Sequence, residues 1–101
     1  MIVYNMTIKI DWSIADFWLV WMTEEHLPEI MATGAFDEYK FYRLLGQDDQ
    51  DGPTYTVQCF TSSPERIQGF EQSFAPGFAR KASLKWGDQF ASFHSVMSAV
   101  K

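Results

Sequence analysis

An imidazole set in an apolar stretch is the first place to look for chemistry in this chain, and His26 is such a group. It falls in the block Trp21–Phe36, WMTEEHLPEIMATGAF, just ahead of Pro28 and Gly34. Imidazole titrates near neutrality, so in a pocket wall it can take or give a proton. Its other role is structural, a hydrogen-bonded ring tying a kinked helix to a strand. Near a helix C-terminus it is expected to favour its charged form. Asn5 is the second candidate, because an amide in a cavity wall can orient a carbonyl or hydroxyl, or else satisfy a neighbouring backbone group. Tyr4 and Tyr55 offer phenols, with core or interface packing as their plainer role. Trp21 is either a dimer anchor or a pocket wall. His94 lies across a shared cavity from His26 if its strand face points that way, and the sequence leaves that parity open.

No metal site is expected. The two histidines are far apart, Cys59 is alone, and no His-x-x-x-His or paired-Cys spacing occurs. The acidic turn GQDDQDGP at 46–53 lacks the spacing and closing Glu of a calcium loop, and it reads as a solvated hairpin turn. There is no phosphate loop, nucleophile elbow or dinucleotide fingerprint, so no cofactor is expected.

The elements that must position these residues follow from periodicity. Ile2–Ile10 alternates, with Ile2, Tyr4, Met6, Ile8 and Ile10 on one face and Val3, Asn5, Thr7 and Lys9 on the other. Ser13, with Asp16 three residues on, resembles a capping box that opens helix one. One stripe of that helix carries Ala15, Trp18, Leu19, Met22, His26 and Ile30. A second carries Phe17, Val20, Trp21, Leu27 and Met31, so the helix is expected to be covered on two sides. Pro28 predicts a kink or restart at 26–28, and Gly34 a left-handed cap. Strands are predicted over 36–45, 54–61 and 90–100. Helix two starts at the Ser63 cap with Pro64, carries the stripe Ile67, Phe70, Phe74 and Phe78, and is interrupted at Pro76–Gly77.

The resulting β-α-β-β-α-β order over residues 1–101 predicts a single α+β, ferredoxin-like domain: a four-stranded antiparallel sheet with two helices on one face. Its open sheet face is too apolar to meet water throughout, so a homodimer through that face is expected. Composition agrees: 47% of the 101 residues are apolar and 17% aromatic, more than a small monomer hides easily. The net charge of −5 argues against nucleic acid and anionic membranes as partners. No run reaches membrane-spanning length and no signal peptide is visible, which makes the cytoplasm the expected location.

The start IVYNMTIKID, the block W-x-x-W-M-x-x-x-H-x-P-E-x-M-A-T-G-x-F from Trp18 to Phe36, the string DGPTYTVQ and the close WGDQFASF resemble a small bacterial family named as domain of unknown function 4286. The resemblance covers nearly the whole chain and is similar in layout to the dimeric α+β barrel group, in which two such sheets face each other around a cavity. That group includes cofactor-independent monooxygenases, haem-degrading enzymes, isomerases and proteins without known activity. The resemblance therefore implies a dimer and a cavity rather than a reaction. Two positions depart from the family pattern: Phe74 stands where a histidine is common before Ala-Pro, and His94 where an arginine is common.

Three functions fit this reading. The first is a cytoplasmic homodimer whose small cavity binds an apolar or aromatic metabolite. The second is a cofactor-independent monooxygenase- or isomerase-like enzyme with His26 as acid or base and Asn5 as positioning group. The third is a protein-interaction module without catalysis.

Overall fold

The alternating segment Ile2–Ile10 forms β1 in the computed structural model, which describes residues 1–101. β1 pairs antiparallel with β3 (Thr54–Thr61) on one side and β4 (Phe90–Ser98) on the other, and β2 (Glu38–Arg43) pairs antiparallel with β3. The strand order β2-β3-β1-β4 is the expected ferredoxin-like sheet.

Register settles which face each side chain takes. Tyr4 lies opposite Cys59 and Val96, Met6 opposite Val57 and His94, and Ile8 opposite Tyr55 and Ser92. Directly opposed residues share a face. Tyr4, Met6, Ile8, Tyr55, Val57, Cys59 and His94 therefore face the helices, whereas Val3, Asn5, Gln58, Phe60, Phe93 and Met97 look out from the open side.

The first helical layer opens with a 3-10 turn, Trp12–Ile14, and continues as α1 (Ala15–Trp21). The expected Ser13–Asp16 capping box does not form: Ser13 Oγ instead accepts from Gln89 Nε2 at 3.2 Å. The helix then widens into a π-helical turn over Met22–His26 and proceeds as α2 (Leu27–Ala32). The kink or restart expected at 26–28 takes the form of this wide turn, after which the α-helix resumes at Leu27 with Pro28 in its first turn. Proline cannot donate to the carbonyl four residues back. The helix accommodates this by widening one turn, in which the Leu27 N–H reaches the Met22 carbonyl.

The extra residue in that turn rotates the helix face. Trp21 and Met22 both turn inward, as do His26 and Leu27. The expected second stripe is thereby divided, with Trp21 and Leu27 in the core and Phe17 and Val20 exposed. The helix ends at Gly34, whose φ of 78° is the left-handed cap the sequence suggested.

The second layer begins where Ser63 Oγ accepts from the Arg66 N–H at 3.3 Å and Pro64 opens α3 (Pro64–Ser73). The chain breaks at Phe74 (φ −121°, ψ −40°) and restarts as α4 (Ala75–Trp86). The break precedes Pro76 because proline fits the first turn of a helix and not its interior. β2 starts at Glu38 rather than Phe36, since Phe36 turns into the core against Tyr4 and Phe70. The core lies between sheet and helices, with Ile10, Trp18, Met22, Leu27, Ile30, Val57 and Cys59 fully enclosed. α4 contributes no fully buried residue.

Candidate functional site: a helix-side aromatic cavity

The π turn, α3, α4 and the inner face of β1 and β4 line an open-mouthed cavity of about 410 Å³. That is within the range of small-molecule sites. Aromatic rings and aliphatic side chains share its wall. Tyr4 packs edge-on to Phe70 at 5.4 Å, Phe70 stacks on Phe78 at 6.0 Å, and Phe78 meets His26 edge-on at 5.5 Å. Trp18 and Trp21 close the α1 side.

His26 stands in this wall. Only 7% of it is exposed, and its ring stacks on Trp21 with centroids 4.2 Å apart. The stacking follows from the wide turn, which sets residues five apart one above the other. Nδ1 is enclosed and has no hydrogen-bond partner. A buried polar atom left unpaired costs about 1–3 kcal/mol, so it calls for an account. Burial lowers the pKa of the ring to about 4; the Glu29 carboxylate pulls it up and the Lys81 ammonium pushes it down. Those two charges are paired with each other, Lys81 Nζ lying 2.8 Å from Glu29 Oε1. His26 is therefore neutral at neutral pH. The expected charged form at a helix C-terminus is not observed: the helix continues past the ring, so desolvation decides.

At the rim stand His94 and Glu71, both half-exposed, with His94 Nε2 3.8 Å from Glu71 Oε2. His94 also stacks on Tyr4, centroids 5.1 Å apart. The Tyr4 phenol is pushed up to about 12 by burial, then by the Glu71 carboxylate and the Cys59 thiol, so it stays protonated.

Four candidate residues thus meet in one cavity: Tyr4, Trp21, His26 and His94. Tyr55 is helix-facing but lies in the core against Trp18, centroids 5.2 Å apart. Asn5 is on the opposite face of the sheet, where its Nδ2 donates to Thr7 Oγ1 at 3.3 Å. A site combining His26 with Asn5 is therefore not formed within the chain. The cavity also lies under the helices rather than on the open sheet face where a facing-sheet arrangement would put it. Phe74, at the α3–α4 break, is partly exposed, its ring centroid 6.3 Å from that of Phe70.

Phe70, Phe78 and Glu71 were not among the candidates. The spacing of Phe70, Phe74 and Phe78 reads equally well as ordinary packing, and Glu71 is one position past Phe70, so no signal separates it from a solvated charge. Trp86 Nε1 is a second buried donor without a partner; its ring meets Trp21 edge-on at 5.7 Å.

Sequence and fold comparisons agree with the architecture. A family model described as "Domain of unknown function (DUF4286)" matches residues 1–100. No curated protein matches the chain. Among solved structures, SnoaB, a cofactor-independent oxygenase from Streptomyces nogalater, is similar with TM-score 0.66 and 15% identity, over 99% of this chain and 93% of that one. An ethyl tert-butyl ether D family protein from Bacillus halodurans aligns with TM-score 0.71 and 11% identity, over 99% and 100% of the two chains. A dimeric ferredoxin-like protein from an uncultured marine organism aligns with TM-score 0.65 and 10% identity, over 100% and 96%. At these identities the likeness establishes the fold and nothing finer.

Proposed function

Because the chain belongs to the DUF4286 family, whose description names no activity, we propose its function from the cavity: it binds a flat, largely apolar metabolite under the helices and works as a homodimer. The observation that carries this reading is the enclosed, unpartnered imidazole of His26 in an aromatic wall. A largely apolar site with a few polar groups, His26 inside and His94 and Glu71 at the rim, suits a flat ring bearing a polar substituent such as a hydroxyl, a carbonyl or an amine. Neutral His26 either accepts from the hydroxyl or donates to the carbonyl.

The open sheet face supports the dimer. Phe93, Tyr42 and Met97 are exposed there, Phe93 to 66%, and edge strand β4 carries no Lys, Arg, Asp or Glu from Phe90 to Ser98. A long uncharged edge is a pairing hazard unless covered. Cytoplasmic residence belongs to the same proposal. What the fold itself shows is that no helix is long and apolar enough to cross a membrane.

Titration calorimetry with 1-naphthol tests the cavity. Binding is expected for the native protein and loss of at least about tenfold in affinity for His26→Phe, one hydrogen bond's worth. No binding to the native protein refutes the reading. Native mass spectrometry tests the assembly: a dimer is expected, and Phe93→Lys is expected to shift it toward monomer.

A second reading is enzymatic. His26 would take the proton of a phenolic or enolic substrate, leaving an electron-rich anion for isomerisation or reaction with dioxygen; the structurally similar SnoaB is a cofactor-independent oxygenase. With its pKa lowered to about 4, His26 is a weak base in the empty cavity. This reading therefore requires the bound anion to raise that pKa. Dioxygen uptake or isomer formation on adding substrate, absent in His26→Phe, would favour it over binding alone.

A further inference from the structure

The charge inventory of the cavity is one-sided. Glu71 is the only Asp, Glu, Lys or Arg in its lining. Of the three cations on the overlying helix, none lines the cavity: Arg80 lies outside the lining, Lys81 pairs with Glu29, and Lys85 Nζ sits 5.2 Å from the centre of the Trp86 ring. Glu71 itself accepts no hydrogen bond. Its one close partner, His94 Nε2, is 3.8 Å away, beyond hydrogen-bond distance. Aromatic rings, Phe70, Phe78 and Trp21 among them, share the rest of the wall with aliphatic and small side chains, and ring faces carry partial negative charge. A ligand with a carboxylate or phosphate would meet Glu71 with no Lys or Arg in the lining to offset it. A ligand with an ammonium group would find at the rim a carboxylate that accepts no hydrogen bond, with aromatic faces behind it.

We propose that the cavity selects an aromatic amine in its protonated form, its ring among Phe70, Phe78 and Trp21 and its ammonium on the Glu71 carboxylate at the rim. The inference rests on the cavity reading above and narrows it to a ligand class. It also places opposite chemistry at the two ends of the site: a neutral imidazole inside, and a carboxylate beside His94 at the mouth.

Three probes that share one ring system separate the possibilities: 1-naphthylmethylamine, 1-naphthylmethanol and 1-naphthoate, titrated calorimetrically into the native protein at neutral pH. The amine is expected to bind about tenfold more tightly than the alcohol, the scale of one charge-assisted hydrogen bond at a half-exposed site. Naphthoate is expected to bind weakest. Glu71→Gln is expected to remove the amine's advantage, and added salt to reduce it in the native protein. Glu71 is half-exposed on α3, and unchanged far-ultraviolet circular dichroism would show the variant folded. Naphthoate binding as tightly as the amine, or amine affinity indifferent to Glu71→Gln, overturns the charge selection while the cavity reading stands. Failure of all three probes to bind overturns both.

Discussion

Replacing His26 with Phe tests whether the ring is there for stability or for a ligand. A structural histidine earns its place through hydrogen bonds, and this one leaves Nδ1 enclosed and unpaired. Phe keeps a flat ring between Trp21 and Phe78, which lie 4.2 and 5.5 Å away, and removes the unpaired polar atom. The gain should be about 1–3 kcal/mol at neutral pH. That raises the melting temperature by at least about 4 °C in a domain of this size. A pH dependence comes with it. Burial lowers the folded-state pKa of His26 from 6.5 to about 4. Between those values the unfolded chain binds a proton that the folded chain refuses. The contribution is thus complete above pH 6.5 and is lost as pH falls toward 4, by about 3 kcal/mol in all. Urea unfolding of native protein and His26→Phe at fixed protomer concentration should give curves that diverge between pH 7.5 and pH 4.5, the variant being the more stable throughout. A variant less stable at pH 7.5, or two curves running parallel, would refute the argument and make His26 a structural residue.

Other perturbations have equally definite outcomes. Lys81→Ala removes the tie from α4 to Glu29; because the pair is surface-exposed, global stability should change by less than about 1 kcal/mol, while hydrogen exchange across 75–86 should speed up. Cys59, buried in β3 with its pKa pushed up to about 12, should resist a thiol reagent at pH 8 in the native protein and react fully once unfolded. Gly52→Ala places a Cβ 1.6 Å from the Ile10 carbonyl oxygen, so backbone must move, and unfolding should show a loss of roughly 2–4 kcal/mol.

The local elements were legible because each depends on few neighbours. Alternation over Ile2–Ile10, the β-branched and aromatic run Thr54–Thr61, the Ser63–Pro64 helix start and the Gly34 cap all express short-range sterics and hydrogen bonding, and all stand where their residues imply. The element order then leaves the ferredoxin-like sheet as the economical arrangement. The site was less legible. Both faces of β1 carry apolar residues, so only pairing with β3 and β4 could turn Tyr4 and His94 toward the helices and Asn5 away from them. Pro28 announced a disturbance, but whether the helix broke or widened depended on the core available to Trp21, Met22 and Leu27, which reward continuation with burial. That one wide turn brought His26 onto Trp21. Residue types and spacing determined which side chains could do chemistry and on which elements they ride. Tertiary packing decided which of them share a cavity, and it left His26 neutral and unpaired there, because charge and hydrogen-bonding state depend on surroundings that lie distant along the chain.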